Sequence, residues 1–198
     1  MRYISLLRGI NVGGHKKIKM VDLRRLYGDL GFANVKSYVQ SGNVVFDSSV
    51  TDRAQLIKQI ELQIEATYGF HVPVLLRTVD EFQRILVENP YGSADDDNKH
   101  QYILFLDRSL TPEEVNGIVI PERITDQFTA LGDALAIYYP KGASRAKLTT
   151  NFFERKFNII GTMRNWRTVN KLFAMACAQP PLEAPSYANK IEASSGCR

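Results

Sequence analysis

The chain has 198 residues, 44% of them hydrophobic and 23% charged, which excludes wholesale disorder and leaves room for one domain or two small ones. Its net charge of +4 is unevenly spread: residues 1–20 carry +5 and residues 141–171 carry +7, leaving −8 for the remainder. Two basic segments on an acidic body point to an anionic partner, the plainer alternative being solvated faces.

In chain order, Tyr3 to Leu7 reads as a strand. The loop that follows, Arg8-Gly-Ile-Asn-Val-Gly-Gly-His-Lys-Lys-Ile-Lys-Met20, holds three glycines, an asparagine, a histidine and three lysines. Glycines at this density let backbone N–H groups turn toward a bound group, and cations at both ends make an anion the natural occupant. Val21 to Leu30 has helical apolar spacing, with Gly31 as its stop. Val35 to Val39 and Val44 to Phe46 form a hairpin about Ser41-Gly42-Asn43. A long helix capped at Thr51 or Asp52 ends at Gly69; Val72 to Leu76 is the fourth strand, and Val79 to Val87 a helix before Asn89-Pro90.

The second half repeats this order. Gln101 to Leu106 is a strand, Thr111-Pro112-Glu113-Glu114 a capped helix start, and Phe128 to Leu131 with Ala134 to Tyr139 a hairpin around Gly132-Asp133. A helix near Asn151 to Phe157, with Asn151 and Glu154 in capping-box spacing, precedes a short stretch at Ile159 to Thr162 and a last helix from about Thr168 to Ala178. The fold class is α+β: two ferredoxin-like β-α-β-β-α-β units, in tandem or merged into one domain. Residues 1–88 are the first unit, 89–99 a polar linker with three consecutive aspartates, 100–178 the second unit, and 179–198 a Pro/Ala/Ser-rich tail that reads as disordered.

This topology places the end of the first strand, the β2–β3 hairpin and the end of the second helix on one rim. That rim gathers Arg8, Asn11, His15, Lys16, Gln40, Ser41, Asn43 and His71, with Arg8 expected to meet loop or turn carbonyls. Gly13 and Gly14 supply the exposed amides of the loop.

Four segments carry a resemblance: Leu6 to Met20, Ser37 to Phe46 (SYVQSGNVVF), Ser144 to Thr149 (SRAKLT) and Thr162 to Leu172 (TMRNWRTVNKL). In this order they resemble a bacterial family catalogued as domain of unknown function 1697. The resemblance implies a ferredoxin-like fold built by duplication; it supplies no activity, cofactor or catalytic residue.

The chemistry of the residues themselves is limited. Gly9-x4-Gly14-His15-Lys16 lacks both the lysine and the Ser/Thr of a nucleotide-hydrolysing P-loop. Arg145 and Lys147 lie just before a helix start, and Arg164, Asn165 and Trp166 before another, where cations and an aromatic ring suit a phosphate and a base. The competing view makes these caps and a core tryptophan. The third strand lacks the paired stacking aromatics of an RNA-recognition module. Three scattered histidines and two cysteines give no metal or disulfide pattern, and no cofactor is expected. No apolar run reaches the roughly 18 residues of a membrane span, and the start of the chain lacks the apolar core of a signal peptide, so a cytoplasmic protein with no membrane partner is expected. Three functions stay open: binding a phosphate-bearing small molecule or nucleic acid, an enzyme on a small anionic substrate, or an interaction protein for an acidic partner.

Overall fold

The computed structural model describes residues 1–92 and 99–178. Most of the 89–99 linker and all of the 179–198 tail thus lie outside the described residues. Two four-stranded antiparallel sheets form an α+β architecture. The first contains β1 (Arg2–Leu7), β2 (Ala33–Tyr38), β3 (Asn43–Asp47) and β4 (Val74–Thr78) in the order β2-β3-β1-β4. The second contains β5 (Gln101–Leu106), β6 (Gln127–Ala130), β7 (Ala134–Tyr138) and β8 (Gly161–Asn165) in the order β6-β7-β5-β8. Helices α1 (Met20–Asp29), α2 (Arg53–Tyr68) and α3 (Val79–Glu88) belong to the first half, and α4 (Pro112–Asn116), α5 (Thr150–Phe157) and α6 (Trp166–Cys177) to the second. None of the described helices is long and apolar enough to cross a membrane.

Strand alternation divides the core into three. On β1, Tyr3 and Leu7 face α1 and α2, packing with Leu23, Tyr27, Leu56 and Ile60. Ile4 and Leu6 face the other way, into a central cluster shared with Ile103 and Phe105 of β5, Phe82 and Ile85 of α3, and Val169 and Leu172 of α6. Leu104 and Leu106 of β5 turn outward onto Phe153 and Phe157 of α5. Helices α3 and α6 pack on each other, and α6 touches strands of both sheets. Both halves therefore contribute to one central core.

Local chemistry explains the boundaries. Asp52 caps α2 by accepting from Ala54 and Gln55 N–H, and Gly69 ends it at φ 76°. Thr78 with Glu81 and Thr111 with Glu114 form capping boxes on α3 and α4. Three expectations shift. The fourth strand begins at Val74 and runs through Arg77 to Thr78, two residues later than its apolar run suggests, because Arg77 is buried. Gly161–Asn165 is a strand, and α6 starts at Trp166. The cap of α5 is Thr149, accepting from Phe152 N–H, not Asn151.

The β2–β3 turn tolerates only glycine at position 42. There φ is 76°, and a Cβ would lie 2.6 Å from Leu7 Cβ and 2.8 Å from Ile10 Cδ1. Gly42→Ala is expected to cost about 2–4 kcal/mol in chemical denaturation, combining the left-handed penalty with overpacking. A cost under about 0.5 kcal/mol, the range of neutral surface changes, would contradict this.

Candidate functional site

The loop after β1 is pinned by one side chain. Asn11 Nδ2 donates to Ile18 O at 2.9 Å and to Gln40 O at 2.8 Å, while its Oδ1 accepts from Ile18 N–H at 2.9 Å. Within the loop, Asn11 N–H reaches Lys16 O at 3.2 Å and His15 N–H reaches Val12 O at 3.0 Å. Lys16 Nζ donates to His71 O at 2.7 Å. The loop, the β2–β3 turn and the connection after α2 thus meet on one rim. Gly9, Asn11, Gly13, Gly14 and Lys16 all take positive φ, so the loop folds back on itself as a series of left-handed steps.

What this leaves outward is specific. Gly13, Gly14, His15, Lys17 and Lys19 are exposed. The amides of Gly13, Gly14, Lys16 and Lys17 donate to no acceptor among the described residues. His15, Lys17 and Lys19 form no ion pair there either, seven pairs elsewhere having consumed other cations. A groove of about 610 Å³ runs beside the loop, with Gly14, Lys17, Lys19, Gln40, Met20 and Tyr68 on its walls and Asp22 as its carboxylate. The arrangement combines donors and two ammonium groups that have no partner among the described residues with a half-buried phenol ring.

Two of the three arginines that sequence reasoning assigned to a ligand, Arg8 and Arg164, are engaged inside the protein. Arg8 does not meet turn carbonyls: its Nε donates to Glu154 Oε1 at 2.6 Å and its Nη2 to Glu154 Oε2, a two-point pair across the halves. Glu154 Oε1 also accepts from Gly161 N–H at 2.9 Å. Arg164 is buried and spends five hydrogen bonds on neutral oxygens: Asn43 Oδ1 at 2.5 Å, Thr162 Oγ1 at 2.7 Å, and the carbonyls of Met163, Leu7 and Ser41 at 2.9, 2.9 and 2.8 Å. Burial pushes its guanidinium down to about 10, so it stays charged at neutral pH. Asn43 is buried too, donating to Tyr38 O and Ser41 Oγ at 3.0 Å each.

The remaining expected residues divide as follows. Asn165 caps α6 by accepting from Thr168 N–H at 2.8 Å. Trp166 is 7% exposed and lies in the central core, so it offers no stacking face. Arg145 and Lys147 are exposed on the segment before α5, where Asp126 accepts from the Lys147 and Leu148 amides at 2.6 and 3.0 Å. No hydrogen bond or ion pair among the described residues joins them to the loop. The structure therefore brings Arg8, Asn11, Ser41, Asn43 and Arg164 to one rim as scaffold, and leaves Gly13, Gly14, His15 and Lys17 as the accessible part. Sequence reasoning missed Lys19 and Tyr68 as groove walls and Arg77 as a buried partner of Arg164's kind. The available signal was the repeat Leu76-Arg77-Thr78 and Met163-Arg164-Asn165, an arginine directly before a helix cap.

The Arg8–Glu154 pair has a pH consequence. Burial raises the Glu154 carboxyl, but the Arg8 hydrogen bonds and the Gly161 amide outweigh it and hold the group below the ordinary glutamate value. A carboxyl lowered in the folded state contributes stability above its unfolded pKa and loses it as pH falls through its folded value. Acid titration of stability below about pH 4.5 should accordingly be shallower in Glu154→Gln than in wild type. Identical profiles would show that the pair adds nothing.

A family model described as "Protein of unknown function (DUF1697)" matches residues 1–135. Among solved structures, the conserved bacterial protein SP0830 from Streptococcus pneumoniae is similar at 26% identity and a TM-score of 0.67, over 88% of this chain and 98% of that one. None of the curated proteins matches.

Proposed function

Since this chain belongs to the family described as "Protein of unknown function (DUF1697)", which brings no chemistry with it, we propose from its own geometry that it binds a phosphate-bearing ligand, a nucleotide or nucleic acid, at the glycine-rich loop. The observation that carries this reading is that the amides of Gly13, Gly14, Lys16 and Lys17 donate to no acceptor, and the side chains of Lys17 and Lys19 pair with no carboxylate, among the described residues. Closely spaced N–H groups of an exposed loop with left-handed backbone at Gly13, Gly14 and Lys16 suit phosphate oxygens. Two ammonium groups add charge-assisted bonds, each contributing about 1.5–3 kcal/mol. Tyr68 on the groove wall offers an aromatic ring to a base or sugar. Because Asn11 and Lys16 already hold the loop, little ordering is needed on binding. Arg8, Arg164 and Trp166 form no part of the site.

The equal strand order of the two sheets, and matched hydrogen bonds at their strand ends, support reading the chain as two ferredoxin-like units in tandem that share a central core.

The test is fluorescence anisotropy with a labelled single-stranded oligonucleotide, and calorimetry with a nucleotide, between about 50 and 200 mM salt. Wild type should bind with a salt slope, and Lys17→Ala/Lys19→Ala should weaken binding at least tenfold and flatten that slope by roughly 1.4, two phosphates' worth for a single strand. No binding by wild type at the lower salt would overturn the reading.

A further inference from the structure

The two halves carry the same wiring at the ends of their first strands. Arg8 N–H donates to Pro73 O at 2.9 Å, and Asp107 N–H donates to Ile160 O at 2.9 Å. Glu61 Oε1 accepts from Val74 N–H at 2.8 Å, and Glu154 Oε1 from Gly161 N–H at 2.9 Å. Arg77 and Arg164 are each the fourth residue of β4 and β8, and each crosses to the other half, to Leu106 O at 2.5 Å and Leu7 O at 2.9 Å. Asp107 therefore stands where Arg8 stands, and Glu61 where Glu154 stands.

At one of these two junctions the protein's own guanidinium fills the space: Arg8 sits on Glu154. At the other, a carboxylate has taken the arginine's place, and Glu61 and Asp107 border a cavity of about 190 Å³ between the halves. Ile57, Leu75 and Ile160 give it apolar walls. Neither Glu61 Oε2 nor the Asp107 carboxylate receives a donor among the described residues. Arg77 and Asp133 also line it. Arg77, with its side chain 4% exposed, has no hydrogen bond at Nε among the described residues, although Nε lies 3.0 Å from Asp133 Oδ2, and Asp133 Oδ1 has no hydrogen-bond donor there, the Arg84 Nη2 lying 3.8 Å away. Arg53 lines the cavity too, but its Nη2 donates to Glu81 Oε1 at 2.5 Å, and Arg77 is committed to Asp133 and to carbonyls, so neither guanidinium hydrogen-bonds Glu61 or Asp107 among the described residues. The volume is below the roughly 300–1,000 Å³ of sites for drug-sized ligands, so the occupant is the size of a side chain.

We propose that this cavity binds a guanidinium-bearing ligand, held by Glu61 and Asp107 as Glu154 holds Arg8. The planar fork of a guanidinium matches a carboxylate at two points, and its flat faces and short stem suit the apolar walls. This site is separate from the glycine-rich loop and stands whether or not the loop binds phosphate.

The test is calorimetry on the full chain with methylguanidine, L-arginine and a Gly-Arg-Gly peptide, with urea as the neutral planar control. Saturable binding of the three guanidines and none of urea is expected. Glu61→Gln, which keeps an acceptor for Val74, should weaken binding at least tenfold. Asp107→Arg should abolish it while melting at or above the wild-type temperature, because the new guanidinium fills the cavity on Glu61. Tighter binding of the peptide than of free arginine would assign the ligand to a partner protein, and the reverse to a small molecule; either order supports the site. Absence of saturable guanidine binding, equal binding of urea, or unchanged binding in Asp107→Arg would overturn it.

Discussion

Arg164→Met is expected to destabilise the protein by about 3–5 kcal/mol, although it exchanges a buried charge for an apolar side chain of similar length. Among the described residues the guanidinium has no carboxylate partner; it serves instead as the donor for Leu7 O, Ser41 O and Asn43 Oδ1. Removing it strands the buried Asn43 Oδ1 and the half-buried Ser41 O and leaves Leu7 O with the 3.3 Å bond from Thr162 Oγ1, each buried acceptor being worth about 1–3 kcal/mol when left unpaired. Relief of the guanidinium's own desolvation offsets part of this, which keeps the total near the range for a broken buried charge network. Arg164→Lys should recover little, since one ammonium cannot span acceptors that a planar fork reaches from three nitrogens. Urea denaturation with an unchanged m-value is the measurement. A loss below about 1 kcal/mol, less than one stranded acceptor is worth, would show that water reaches the rim carbonyls.

Phe105→Ala is expected to cost about 3–5 kcal/mol, the range for deleting a buried aromatic ring. Phe105 is fully buried and stacks on Phe82 of α3, ring centroids 5.1 Å apart, so a residue of the second half packs on a helix of the first. Because the central cluster draws on both sheets, the variant should still unfold in one transition, shifted to lower denaturant. Two separate transitions would show that the halves fold independently.

The order of elements was legible because each half announces its helices with caps and glycine stops: Asp52 and Gly69, Thr78 and Glu81, Thr111 and Pro112. The strands that were shifted or passed over, at Val74–Thr78 and Gly161–Asn165, share one cause. Each carries an arginine that a sequence pattern reads as solvent-facing and that the fold buries against the opposite half. Only long-range packing reveals such a partner. The same limit applies to the site. The crowding of glycines, asparagine and lysines located the loop, and topology predicted the rim it shares with residues 40–43. Which cations remain free was not legible, because Arg8 finds Glu154 at a separation of 146 residues, whereas Lys17 and Lys19 find no partner among the described residues.

The central claim, that the glycine-rich loop binds phosphate through its own amides, is tested most directly by nitrogen–proton NMR during a pyrophosphate titration. The amide signals of Gly13, Gly14, Lys16 and Lys17 should move saturably and together, and should move far less in Lys17→Ala/Lys19→Ala. Those signals remaining still at low salt, while others move or none do, would contradict the account.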